Sequence, residues 1–298
     1  MSKASSRTEK AAVAISWLSV LLVLLVLGVL LAFLFWRSLP SWSLALFFGD
    51  TPPLDAILHD APVFDGLWPA CVGTLAIVAL SSMIAVPLGV ASGIYLAEYA
   101  DSRSKATFSF CVDLLAGIPS ILVGLFGFAL LLLLRKTCAP EANTGLLLSA
   151  LCLAVLILPY LISTTQLSIA GLPQELRLTG ASLGLSHDQI VWRILLPASL
   201  PGIFSGIILA IGRAAEDTAV ILLTGAVANA GTPSSLTDNY EALPFHIYYL
   251  AAEHQSPEEL AQAFGAALVL LCLTGLTLCF ARWLQARLVQ TWKTGGLS

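Results

Sequence analysis

The sequence predicts an all-α, polytopic membrane protein with six membrane-spanning helices, and three observations predict it. Charged residues make up 11% of the chain and hydrophobic ones 58%, whereas a soluble domain carries about 25% charged residues. Mean hydropathy is +0.90, so the solvent this chain needs is lipid. Six runs rich in Leu, Ala, Val and Ile are long enough for the roughly 20 helical residues that a hydrocarbon core of about 30 Å requires. They show little period-2 alternation, which argues against the alternating strands of about 10 residues found in membrane barrels.

The runs lie near residues 13–36, 68–97, 107–134, 145–168, 201–228 and 260–283. The first ends in Phe35-Trp36-Arg37, an interfacial anchor. It is longer than the roughly 7–15 residues of a signal core and no small-residue cleavage site follows it, so it reads as a retained helix. Basic residues set the orientation. With the N-terminus inside, the outer segments hold only Arg37, Arg135 and Lys136, and ten other Lys and Arg fall on the inner side. Both termini are thus expected in the cytoplasm. The outer loops are acidic, with Asp50, Asp55, Asp60 and Asp65 in the first and Asp238, Glu241, Glu253, Glu258 and Glu259 in the last. The net charge of −4 mostly describes that face. The chain divides into 1–65 (N-terminus, first helix, outer loop), a transmembrane domain over 66–283, and a cytoplasmic tail over 284–298.

Two interruptions mark the spans. Gly117-Ile118-Pro119-Ser120 lies about ten residues into the third and is read as a packing kink or as the free N–H end of a half-helix. Pro87 in the second is read as a kink.

Between the fourth and fifth spans lies a polar island, 171–197. Gly171-Leu172-Pro173 breaks the chain, and 174–185 reads as a short helix with Leu176, Leu178 or Thr179, Leu183 and Leu185 on a partly apolar face. Gly184 ends it. Ser186 is a candidate N-cap for a second helix, whose apolar face is Ile190, Val191, Ile194 and Leu195. Leu196-Pro197 is expected to stop that helix, with the next span starting at Pro201. Pattern alone is compatible with helices lying in the headgroup layer and with helices docked on a protein.

The fifth span carries Arg213, Glu216 and Asp217 within an apolar run. A charge at the bilayer centre costs at least about 2.5–3.5 kcal/mol, so these groups face protein or a water-filled path. Arg213 and Asp217 are i,i+4 and share a helix face, with Glu216 beside them. An internal ion pair and an anion path both fit.

Other chemistries are poorly supported. No Walker A string (G-x4-G-K-S/T) is present, so ATP hydrolysis is not expected in this chain; HExxH is also missing. His59, His246 and His254 fall in outer loops and His187 in the island, where solvated side chains are expected. The six cysteines include no CxxC pair, and no His/Cys cluster has metal spacing, so neither a disulfide framework nor a structural metal is expected. No basic patch with interleaved aromatics suggests nucleic acid.

The string over 184–197, G-x9-I-x-L-P, resembles the second half of the cytoplasmic loop signature of ABC importer permeases, E-A-A-x3-G-x9-I-x-L-P. Gly184, Ile194, Leu196 and Pro197 are kept; Leu178-Thr179-Gly180 stands where the family has Glu-Ala-Ala. The resemblance continues through Gly73-Thr74-Leu75, Pro87-Leu88-Gly89, Ile94-Tyr95-Leu96-Ala97-Glu98-Tyr99 and Gly117-Ile118-Pro119-Ser120. It extends to Gly212-Arg213-Ala214-Ala215-Glu216-Asp217-Thr218, which is similar to the R-A-x-G-E-T string of the PstA-type permeases of phosphate importers. Together these cover roughly 66–283. The family's acidic position is carried onto Asp217, which leaves Glu216 as an extra.

The resemblance implies a type I ABC importer permease core in a bacterial inner membrane. The island would be the pair of coupling helices that sit in a groove of the ATPase, with Leu178, Thr179, Gly180, Gly184, Ile194, Leu196 and Pro197 at that contact. It implies a second homologous permease, two cytoplasmic ATP-binding subunits that use the ATP, and an external phosphate-binding protein. The substrate path would run past Arg213, Glu216, Asp217, Thr218 and Ser120. A guanidinium offers phosphate oxygens a planar fork, and a carboxylate can accept a hydrogen bond from the proton that hydrogen phosphate retains and sulfate lacks. A permease of the same fold for sulfate, molybdate or phosphonate, and a stand-alone secondary transporter, are the alternatives.

Overall fold

The computed structural model describes residues 2–59, 61, 63 and 66–295, with side chains described between residues 9 and 287. Asp60 and Asp65 of the first outer loop lie outside the described residues. Among the described residues six helices are long and apolar enough to cross a membrane, and the strand content is one isolated bridge, Ala226 to Tyr240.

The chain begins with α1 (Ser2–Ser38), followed by the short α2 (Leu44–Phe48) and α3 (Pro53–Leu58). Helix α4 (Trp68–Ile94) ends in a wide π-turn, Tyr95–Tyr99, and is followed by α5 (Ser102–Ala116), α6 (Ser120–Thr137) and α7 (Leu146–Ala170). The island forms α8 (Gln174–Ser182) and α9 (His187–Ile190), then a second π-turn, Val191–Leu195. Next come α10 (Leu196–Glu216), α11 (Ala219–Thr224), α12 (Leu243–Glu253) and α13 (Pro257–Gly295).

Helix α7 is the axis of the bundle: 56% of its apolar window is buried, against none of that of α1. Two G-x3-G pairs let neighbours approach it closely. On α4, a Cβ added at Gly89 or Gly93 would lie 2.5 Å from the Cβ of Leu161 or Thr165 respectively. On α10, a Cβ at Gly202 would lie 2.3 Å from the Ser168 hydroxyl, and one at Gly206 even closer to Thr164. With lipid outside, helix association rests on such close packing rather than on expulsion of water. Ile77, Leu153, Ile157, Leu161, Ala210 and Val220 fill the space between these helices. Helix α1 is apolar all round and leans on α13 only near its end, where Phe33 packs edge-on against Phe264 at 5.7 Å and Arg37 lies over the same ring.

Two spans differ from the sequence expectation. The third, expected over 107–134, is not one helix with a kink. Helix α5 ends at Ala116 and a new helix starts at Ser120. Pro119 adopts ψ 135°, an extended conformation that no helix passes through, and Gly-Ile-Pro supplies no competing cap. The apolar span is therefore Ser120–Thr137, and α5 has no buried residue.

The fifth span, expected over 201–228, is displaced at both ends. Its start is earlier because Pro197 does not stop the chain: α9, the π-turn and α10 run on as one apolar rod, His187–Glu216. A π-turn bonds i→i+5, here Leu196 N–H to the Val191 carbonyl. The widened turn relieves the clash of the Pro197 ring with the preceding turn, at a position where its missing N–H costs least. The end is earlier too, because Asp217 turns extended with ψ 120°. Residues past α11 pair with Tyr240, Val227 N–H to the Tyr240 carbonyl and Tyr240 N–H to the Gly225 carbonyl. The last outer loop also contains a helix, α12, where solvated loop was expected.

Candidate functional site

Two groups of residues stand at the two ends of the His187–Glu216 rod. At one end is the charged break. Leaving the helix turns the Asp217 carboxylate back so that one oxygen accepts the Val220 N–H at 2.9 Å, an otherwise orphan donor of α11's first turn. The other oxygen lies 3.4 Å from Arg213 Nη2. The pairing expected from i,i+4 spacing is thus present, but it is lopsided: the Asp217 side chain is 2% exposed and that of Arg213 40%. One long contact leaves most of the guanidinium fork uncommitted. Glu216 joins neither group. It faces away into a lateral groove of about 290 Å³ shared with Ala267, Leu270, Thr274 and Gly275 of α13. Thr218 is half-buried in the break itself.

Ser120, half-buried at the first turn of α6, is not bonded to any of these charges. Its depth is nevertheless close to theirs. Gly124 packs on Val220 and Gly127 on Thr224, so α6 and α11 run side by side in register, with Ser120 about one turn below Val220. Two helices therefore start at the level of the charged break. Broken backbone within a bilayer is tolerated where it faces protein or a water-filled cavity.

At the other end of the rod the island is a built unit. Ser186 caps α9 by accepting the Gln189 N–H at 3.3 Å, and the Gln189 side chain accepts the Ser186 N–H at 2.9 Å, a reciprocal capping box. Gly184 adopts φ +77° at the turn between the helices. Gly180 lets α8 lie flat on α9: a Cβ there would be 2.9 Å from Ile190 Cγ1 and 3.0 Å from Ile194 Cδ1. Ile190, Val191 and Leu195 close a small core with Ile94 and Ile169, on which Leu176, Leu185 and Leu196 pack.

The apolar face expected for the first island helix is split. Leu176 and Leu185 turn inward, whereas Leu178 is 61% and Leu183 73% exposed, beside Trp192 at 59%. Of the motif residues, Gly180, Gly184, Ile194, Leu196 and Pro197 hold the unit together, and Leu178 and Thr179 look outward. Trp192 was not singled out from the sequence, though a Trp on a polar segment is a signal that was there to read.

A cavity of about 460 Å³ lies at the opposite end of the bundle, where Val63 and Gly66 of the first long loop meet Asn229, Glu241, His246 and Glu253. His246 is half-buried on α12 rather than solvated in a loop. Burial pushes the Glu241 carboxyl up to about 7, against the opposing pull of the Asn229 and Ala230 amides.

Comparison with known proteins follows the same outline. The family model described as binding-protein-dependent transport system inner membrane component matches residues 85–290. The phosphate transport system permease protein PstA of Haemophilus influenzae is 33% identical over 277 residues, covering 91% of this chain and 93% of that protein. A PstA homolog of Mycoplasma pneumoniae is 37% identical over 163 residues, 54% of this chain; the match spans only 25% of that longer relative. Among solved structures, the MetNI methionine ABC transporter in an inward-facing conformation superposes with a TM-score of 0.57 at 18% identity, covering 81% of this chain and 99% of the other. At that identity the likeness speaks for the fold alone.

Proposed function

The chain belongs to the binding-protein-dependent transport system inner membrane component family, and we propose that within it the chain is the permease subunit of an ATP-driven phosphate importer. The observation that carries this reading is the rod itself. One helix of 30 residues, His187–Glu216, joins the island to the charged break. At about 1.5 Å per residue it is about 45 Å long. A push on the island is therefore delivered at Arg213 and Asp217 without a flexible joint between them.

In this reading the island faces the cytoplasm and docks in a groove of an ATP-binding subunit through Leu178, Leu183 and Trp192. Both termini are cytoplasmic. Two such subunits hydrolyse the ATP; this chain supplies no ATPase site. A second permease of the same fold covers the groove beside Glu216, since a carboxylate facing lipid near the middle of the Pro257–Arg287 span would cost at least about 2.5–3.5 kcal/mol. An external binding protein delivers phosphate to the far end, where the loops around the Glu241 cavity meet.

The anion then passes the break. Arg213 presents its uncommitted N–H groups to phosphate oxygens. Asp217, already anchored by the Val220 amide, holds the guanidinium in place, and its carboxylate accepts the hydrogen bond that hydrogen phosphate can donate. Sulfate, fully ionised, has no such proton to donate, so the same carboxylate repels it. Closure of the ATPases displaces the islands, the rods turn, and the path changes from outward-open to inward-open.

The test is phosphate uptake by vesicles that hold this chain with its co-purifying partners. The expected result is ATP-dependent accumulation of phosphate, undiminished by excess sulfate, molybdate or phosphonate. Uptake of one of those anions in preference to phosphate overturns the substrate assignment, and uptake without ATP or a partner ATPase overturns the ABC mechanism.

A further inference from the structure

Covalent connection joins the island to two helices only, to α7 through Gly171-Leu172-Pro173 and to α10 through the π-turn. Helix α4 has no such link, yet its last turn is gripped by both island helices. From α8, Arg177 sends Nε and Nη2 to one oxygen of Glu98, at 3.3 and 2.5 Å. The same guanidinium donates to the carbonyls at the end of α7, Nη1 to Leu172 and Nη2 to Ile169, each at 3.1 Å. From α9, the His187 Nε2 donates to the Glu98 carbonyl at 3.2 Å, and Asp188 accepts the Tyr99 hydroxyl at 2.8 Å. The Glu98 side chain is 7% exposed and that of Arg177 27%, so the carboxylate is largely removed from water and four of the five guanidinium N–H groups are bonded.

We propose that Arg177 and Glu98 form a clasp that makes α4 move with the island, so that Arg177 is a positioning residue for transport rather than part of the ATPase contact. The physical reason is the shape of the connection. Apolar contacts of the island core tolerate sliding. A fork fixed to one carboxylate and two carbonyls on two different helices does not, because any slide breaks several charge-assisted bonds together. The π-turn at Tyr95–Tyr99 is what aims Glu98 back toward the island; π-turns concentrate at functional positions in helices. With the clasp closed, α4, α7 and α10 share one displacement. With it open, α4 is tied to the island's neighbours by packing alone, at Gly89 and Gly93 against α7, and part of the ATP-driven displacement is lost before it reaches the end of α4.

The inference rests on the island being the ATPase contact, and its experiment separates the two. In the reconstituted complete transporter, phosphate moved per ATP hydrolysed is measured for Arg177→Gln, Arg177→Lys and Glu98→Gln, with ATPase association measured in parallel. The expected result is an about tenfold lower ratio for Arg177→Gln and Glu98→Gln, within the 5- to 150-fold range of typical site couplings. ATPase association stays unchanged, and Arg177→Lys recovers part of the ratio because it keeps the charge but not the fork. An unchanged ratio overturns the clasp. Loss of ATPase association by Arg177→Gln also overturns it, by making Arg177 part of the docking contact.

Should the variants not assemble, the native pairing is tested directly. Spin labels at the exposed Leu88 on α4 and the exposed Gln174 on the island, in a background without native cysteines, are expected to keep one separation with and without ATP. A separation that changes with nucleotide overturns the clasp. If instead no ATPase associates with the wild-type chain, the reading of the island is what fails.

Discussion

The island and the charged break lie on the same helix, yet they are constructed in opposite ways. The island is assembled from local devices: a reciprocal cap at Ser186 and Gln189, a left-handed glycine at 184, and a glycine at 180 that admits Ile190 and Ile194. None of its buried side-chain polar atoms lacks a hydrogen-bond partner, and the large apolar side chains it exposes are Leu178, Leu183 and Trp192. The break spends its local order instead. A helix ends inside the bundle, a buried carboxylate replaces the lost main-chain bond, and what it offers is a charge with unused donors. One region is suited to being pushed as a solid, the other to meeting an ion that stays briefly and leaves.

The comparison is broken most easily at the break. Arg213→Ala is expected to lower phosphate uptake about 10- to 100-fold, the effect of losing a charge-assisted hydrogen bond of about 1.5–3 kcal/mol, while insertion and ATPase association persist. Uptake at the wild-type rate by a normally inserted variant sinks the anion role and leaves Arg213 as an internal ion pair with Asp217. On the island, Trp192→Ala should weaken ATPase binding by about 30-fold, the loss of one interfacial anchor worth about 2 kcal/mol, with the thermal stability of the isolated chain unchanged. Titration of the purified subunits measures this, and equal affinity would place the docking face elsewhere.

Gly180→Val sharpens the contrast from the packing side. The added atoms meet Ile190 and Ile194 within about 3 Å, so overpacking is expected to cost about 1–3 kcal/mol of stability, seen as a lower melting temperature in detergent. A variant that melts with the wild type would mean that α8 does not rest on α9.

The last contrast is at the far end and separates a buried acid from the paired one. Burial raises Glu241 to about 7 from the ordinary 4.5, so between those values the folded state holds a proton that the unfolded state has released. Stability therefore falls as pH rises from about 4.5 to 7, by at most about 1.4 kcal/mol per pH unit, and levels off above. Glu241→Gln should flatten that slope in thermal melts across the range. A slope left intact assigns it to another group.

Much of this was legible from residues alone, and the reason is that it is local. The six spans follow from apolar length, the caps and turns of the island from Ser186 and Gly184, and the pairing of Arg213 with Asp217 from a spacing of four. The two G-x3-G pairs were equally legible, since Gly89 and Gly93, or Gly202 and Gly206, are visible at a glance, although only their shared partner α7 gives them meaning. The helix break at 217 was not legible. An aspartate within an apolar run reads as a charge to be paired, and its main-chain role depends on the Val220 amide turning to meet it.

What the sequence by itself determined was the class of the protein, a six-span membrane chain with a polar island that its motifs tie to ABC importer permeases; hydropathy and short-range spacing carry that much because they act within a few turns of helix. What only the tertiary structure decided was how the parts are joined. Pro197 reads as a stop until a π-turn absorbs it and leaves one rod from His187 to Glu216. Leu176 and Leu178 are equivalent until the core of Ile94, Ile169 and Val191 claims one and not the other. Arg177 and Glu98 stand 79 residues apart until the ends of α4, α7 and α8 converge. Each is a choice between partners distant in the chain, and the energy that makes it comes from packing and burial that no short window of residues contains.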